Sequence, residues 1–152
     1  MPPYYEYRHV VEFDEINHVG SVYHANFRRW AGRCLEMFLL EHASSVTDGL
    51  RGSLRLVTAE AGCERLAGVH AFKELSIRMR LAELSFTRIG LAFDYVRVSE
   101  GADELVGRGW QRITCLRDVD GSATPAPVPE PLRLALEGYA VVINHLSIEE
   151  ST

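Results

Sequence analysis

One long stretch of helical period stands in a chain whose other periodic segments alternate like strands. That pairing constrains the fold more than any other feature. From Tyr23 to about His42, Phe27, Ala31, Cys34 and Phe38 form one apolar stripe, and Trp30, Leu35 and Met37 widen it. At ~1.5 Å per residue such a helix is ~30 Å long. Before it, residues 4 to 13 place Tyr5, Tyr7, His9, Val11 and Phe13 on one face and Glu6, Arg8 and Glu12 on the other. That alternation predicts a half-buried strand. A loop from Asp14 to Val22 follows it. After a polar loop from Ala43 to Ser53, four strands are expected: Leu54 to Leu66, Ile77 to Phe86, Arg88 to Ser99 and Glu104 to Arg117. Turns are signalled at Glu100–Asp103 and Asp118–Gly121. Thr124–Pro131 holds four prolines and is expected to be extended, leading into a short helix from Leu132 to Gly138. Consecutive strands with short turns favour an antiparallel sheet, and the lone apolar helix must pack on its face. The expectation is an α+β fold in which a long central helix is wrapped by a five-stranded, mostly antiparallel sheet. Residues 1–152 are expected to form one domain.

Charge and composition narrow the function. Sixteen basic against 21 acidic residues leave a net charge of −5, which disfavours nucleic acid or an anionic membrane as partner. With 47% hydrophobic residues a core is available, yet no run approaches the ~20 residues of a membrane span. The N-terminus has no apolar signal centre. Cys34, Cys63 and Cys115 are an odd count without close pairs, so neither a disulfide framework nor a structural zinc site is expected. Together these imply a cytoplasmic protein. His18 and His24 lack further ligands for a metal. There is no phosphate-binding glycine loop, nucleophile elbow or dinucleotide fingerprint.

The segment from Phe13 to Trp30 carries the chemistry. Gly20, Val22, Asn26, Phe27 and Trp30 keep, without a gap, the spacing of the catalytic segment of hotdog-fold thioesterases of the 4-hydroxybenzoyl-CoA thioesterase type, which this chain resembles. The order of strand, helix and four strands agrees with the hotdog fold. One departure stands out: that family's catalytic Asp falls on Asn17. An amide is neither base nor nucleophile, though it both donates and accepts hydrogen bonds. The stretches Asn17–Leu39, Ser76–Arg97 and Pro125–Leu132 resemble a narrower group, the thioesterases of enediyne biosynthesis. The resemblance implies hydrolysis of a phosphopantetheine-linked polyenyl thioester on the acyl-carrier domain of an iterative polyketide synthase. It further implies loss of CO₂ from the released β-keto acid, no cofactor, and a homo-oligomer, either a dimer or a tetramer of two dimers. A general acyl-CoA thioesterase and a non-catalytic acyl-binding hotdog protein are the alternatives.

Thioester hydrolysis develops negative charge on the carbonyl oxygen. The first N–H groups of a helix are unpaired and sit at the positive end of its macrodipole, so the start at Tyr23 and the His24 backbone N–H offer an oxyanion site. Asn17 is placed to hold the attacking water or the carbonyl, and Gly20 lets the loop approach the substrate. On the helical wheel Arg33 lies ~40° beyond Met37, at the rim of the apolar arc, and Asn26 shares that rim. A guanidinium there would stabilise an oxyanion, an enolate or a carboxylate. Glu36, three residues on, is a candidate general base or a group that orients Arg33; an ordinary surface pair is the alternative. Val22, Trp30 and Met37 are candidates to line an acyl tunnel, with plain core packing as the alternative for the last two. His9 reads as a satisfied core or interface histidine, and Cys34 as a packed thiol.

Overall fold

The computed structural model describes residues 3–16 and 24–140, apart from the His24 side chain. The elements are β1 (Tyr5–Val10), a 3₁₀ turn (Phe13–Glu15), α1 (His24–His42), α2 (Ser44–Arg51), β2 (Leu54–Arg65), β3 (Glu74–Leu84), β4 (Arg88–Arg97), β5 (Glu104–Val119), β6 (Ser122–Pro125) and α3 (Glu130–Glu137). The sheet runs β1-β3-β4-β5-β2, with every neighbour antiparallel and β6 added against β5. Register shifts at Thr58/Glu60, Leu81/Glu83 and Tyr95/Val96 mark irregularities that add twist, which suits a sheet curling around a helix.

The apolar stripe of α1 is the inner surface of that curl. Phe27, Trp30, Ala31, Cys34 and Phe38 are all buried, while Leu35 and Met37 pack half-buried beside them. Fully burying each large side chain contributes about 2 kcal/mol. Orientation comes from directed contacts. The Tyr95 ring stands edge-on to Phe27 at 4.8 Å and its hydroxyl donates to the Phe27 carbonyl at 2.6 Å. The Tyr5 ring meets Phe38 edge-on at 5.2 Å.

Three details differ from the expectation. Ala43–Ser53 is not a loop but contains α2, which buries Val46 and half-buries Leu50, a single i, i+4 pair. So short a helix, with Gly49 inside it, gives no readable period. Phe13 is not on the buried face: it is 71% exposed, because the chain leaves β1 after Val10 and winds into the 3₁₀ turn, breaking the alternation. The sheet also gains a short sixth strand. β5 runs on to Val119, and Asp120 and Gly121, both at positive φ (51° and 81°), reverse the chain into β6. Paired positive φ values are those of a type I′ hairpin, which Asp-Gly favours. The proline strap behaves as expected. Its non-proline residues Ala126 and Val128 donate to the carbonyls of Cys115 and Phe86, and Pro131 lies in the first turn of α3.

Gly107 is required by a close approach. A Cβ there would lie 2.9 Å from the Phe27 ring and 3.2 Å from the Glu64 carbonyl. The Phe27 ring has little room to yield against Tyr95. Gly107→Ala is therefore expected to cost about 1–3 kcal/mol in urea unfolding. A cost near zero would show that the ring moves freely.

Candidate active site

Glu15 ends the 3₁₀ turn, fifteen residues before Trp30, and its carboxylate is 5% exposed. It accepts hydrogen bonds from the Glu12 backbone N–H (2.7 Å) and the Trp30 indole N–H (2.8 Å), and meets His9 Nε2 at 2.8 Å. Burial alone would raise its pKa. The Glu12 N–H, His9 and the Trp30 indole together outweigh burial and hold it below the usual glutamate range. Its carbonyl accepts from Asn26 Nδ2 at 2.8 Å, and Asn26 Oδ1 accepts from Arg29 at 3.1 Å. One residue thus ties β1, the turn and the first turns of α1 together. The His9 ring also lies 5.1 Å from Trp30 and stacks on Tyr7 at 6.3 Å.

Above this anchor a groove of about 420 Å³ opens between β1 and α1, bordered by Tyr7, His9, Arg29, Trp30, Arg33 and Glu36. A larger depression, about 490 Å³, includes Glu60, Glu83 and Arg112 in its lining, away from the start of α1. Its Arg112 is already matched by Glu60 at 2.7 Å and Glu83 at 3.2 Å. The smaller groove is the better candidate because it lies over the Glu15 anchor, beside the second to fourth turns of α1, and holds an imidazole and two guanidiniums.

The expected site residues fall as follows. Arg33 and Glu36 do border the groove, 3.9 Å apart and each more than half exposed. Trp30 is buried, with its indole committed to Glu15. Met37 is half-buried against the core. Asn26, expected at the rim, is buried and braces the turn. The His24 backbone opens α1, so its N–H is among those that a helix leaves without an internal partner. Asn17, Gly20, Val22 and Tyr23 lie outside the described residues. Cys34 is fully buried, and burial pushes its thiol far above the ordinary range, as suits packing and not nucleophilic attack. Among the described residues no three His, Cys, Asp or Glu side chains converge to hold a metal.

Glu15 was not among the expected site residues. Its partners come from three elements and no local spacing links them. The one available signal was an acid two residues before Asn17, in front of an apolar helix. His9 is satisfied, as its position on the strand suggested, but by a buried carboxylate at the edge of the groove.

No protein-family model matches the chain, and no curated protein does. Among solved structures it is similar to the dynemicin thioesterase, whose crystal structures concern induced fit and allosteric effects upon polyene binding. The identity is 44%, over 92% of this chain and 99% of that one, with a TM-score of 0.89. A 1,4-dihydroxy-2-naphthoyl-CoA thioesterase from Synechocystis shares 20% identity over 88% of this chain and 95% of its own, with a TM-score of 0.75. A 4-hydroxybenzoyl-CoA thioesterase mutant complexed with 4-hydroxybenzoyl-CoA shares 13% identity over 89% and 99%, with a TM-score of 0.78. The last two show the shared fold. With the helix, curled sheet and groove described above, the 44% match places the chain in the family of the dynemicin thioesterase: it is an enediyne-type, hotdog-fold thioesterase.

Proposed function

We propose that the enzyme hydrolyses a long conjugated β-keto acyl thioester from the acyl-carrier domain of an iterative polyketide synthase. The released β-keto acid then loses CO₂. The observation that carries this is the groove between β1 and α1, where Arg33 stands exposed beside the buried Trp30 and the half-buried His9. The 44% identity to a polyene-binding thioesterase supports a conjugated chain as substrate.

In this reading the thioester carbonyl points at the first N–H groups of α1, which stabilise the oxyanion. One such donor is worth ~3 kcal/mol in the transition state. Asn17 holds the water or the carbonyl, and Arg33 adds positive charge at the rim. Gly20, Val22, Trp30 and Met37 shape the acyl path, and Asn26 braces the turn behind it. Hydrolysis by water, a polarised carbonyl and fixed dipoles calls on no cofactor.

The chain works as one domain and in copies. β1 and β2 end the sheet, each with one side lacking a strand neighbour among the described residues. Joining two sheets across a two-fold would close such an edge, giving a dimer or a tetramer of two dimers. No described helix is long and apolar enough to cross a membrane. A cytoplasmic synthase is the partner that fits this reading.

The test is to mix the protein with a synthase loaded with polyketide and identify the released product by mass spectrometry. A polyene or polyenone appearing only with the protein present is expected. Efficient hydrolysis of simple aryl- or alkyl-CoA thioesters without release from the synthase would point to a general acyl-CoA thioesterase. Tight acyl binding without turnover would point to a binding protein.

A further inference from the structure

A site with an amide at position 17 still has to move a proton from the attacking water. We propose that His9, held by Glu15, accepts that proton. The inference rests on the thioesterase reading and not on the choice of acyl chain.

The geometry selects the nitrogen. The Glu15 carboxylate receives two groups that can only donate, the Glu12 backbone N–H and the Trp30 indole N–H, which favour its ionised form. Its third partner, His9 Nε2, therefore brings the proton to their 2.8 Å contact. That fixes the neutral ring as the Nε2–H tautomer and leaves Nδ1 with a free lone pair. Among the described residues Nδ1 has no hydrogen-bond partner. Contacts with Trp30 at 5.1 Å and Tyr7 at 6.3 Å set the plane of the ring. The side chain is 13% exposed at the groove, enough to meet one water while shielded from bulk solvent. Glu36, the other candidate base, is 64% exposed and already faces Arg33.

The step balances without a further reactant. Water oxygen bonds to the thioester carbonyl carbon, its proton passes to Nδ1, and the carbonyl π pair moves onto oxygen at the helix start. Collapse of the tetrahedral intermediate restores the carbonyl and breaks the C–S bond. The departing thiolate takes the proton back from Nδ1. Acid and thiol leave, and His9 is neutral again. Among the described residues, the charged and titratable groups that share the groove with His9 are Tyr7 on its own strand, Glu12 and Glu15 on the turn, and Arg29, Arg33 and Glu36 on α1.

His9→Gln separates a chemical role from a structural one, because the amide can still donate to Glu15 but cannot act as a base. Using an acyl thioester that the wild type hydrolyses, it is expected to lower kcat by about 10²-fold or more. KM and the thermal midpoint should stay near wild type. Independently, ¹⁵N-histidine NMR of the wild type should show His9 protonated on Nε2 and bare on Nδ1 at neutral pH. A His9→Gln enzyme within threefold of wild-type kcat would overturn the inference and leave the thioesterase reading standing. A proton resident on Nδ1 would overturn it too. A wild type that turns over no thioester would overturn both.

Discussion

Replacing Arg33 by alanine should lower kcat for thioester release by about 10²–10³-fold, the loss associated with one electrostatic contact made in the transition state. The fold should not notice. Arg33 is 55% exposed and its one ion pair among the described residues, to Glu36, is long at 3.9 Å. Exposed pairs of that kind contribute well under about 1 kcal/mol. The thermal midpoint should therefore match wild type while turnover collapses. Asn17→Ala is expected to act in the same direction, by removing the group that holds water or carbonyl. Steady-state assays with an acyl-carrier thioester check both, and unchanged turnover in both variants would remove these assignments.

Phe38→Ala should have the largest effect on stability, about 3–5 kcal/mol in urea unfolding. The ring is fully buried at the C-terminal end of the α1 stripe. It packs edge-on against Tyr5 at 5.2 Å and Tyr139 at 5.8 Å, so one α1 residue joins β1 to the residues after α3. The Tyr5 hydroxyl is tethered to Glu41 at 2.8 Å, which keeps its ring from swinging in to fill a cavity. A cost below about 1 kcal/mol would mean that the surrounding aromatic rings collapse into the space instead.

What was legible in the sequence follows from how local each signal is. The α1 stripe repeats over nineteen residues, so period alone predicts which side chains meet the sheet. Strand alternation and the Asp-Gly turn are equally local, and the expected strands match those observed to within a few residues. α2 escaped because its only apolar anchors are Val46 and Leu50, and because Ser44, Ser45, Asp48 and Gly49 read as a loop. The site divides the same way. Arg33 was placed at the rim by helical angle, and it lines the groove. The same angle put Asn26 there, yet its amide turns to the Glu15 carbonyl and is buried, an outcome decided by hydrogen bonding across elements. His9, Glu15 and Trp30 meet only because β1 and α1 pack together. Their separations of six and fifteen residues carry no periodic signature.

In the proposed mechanism the start of α1 and the rim marked by Arg33 cut the thioester with no carboxylate at residue 17. The most direct test is a crystal structure with a non-hydrolysable polyenyl pantetheine analogue. The carbonyl oxygen is expected about 3 Å from the first N–H groups of α1, with the reacting carbon at the groove between Arg33 and His9. An analogue whose carbonyl points away from the helix start, with the groove empty, would overturn that mechanism.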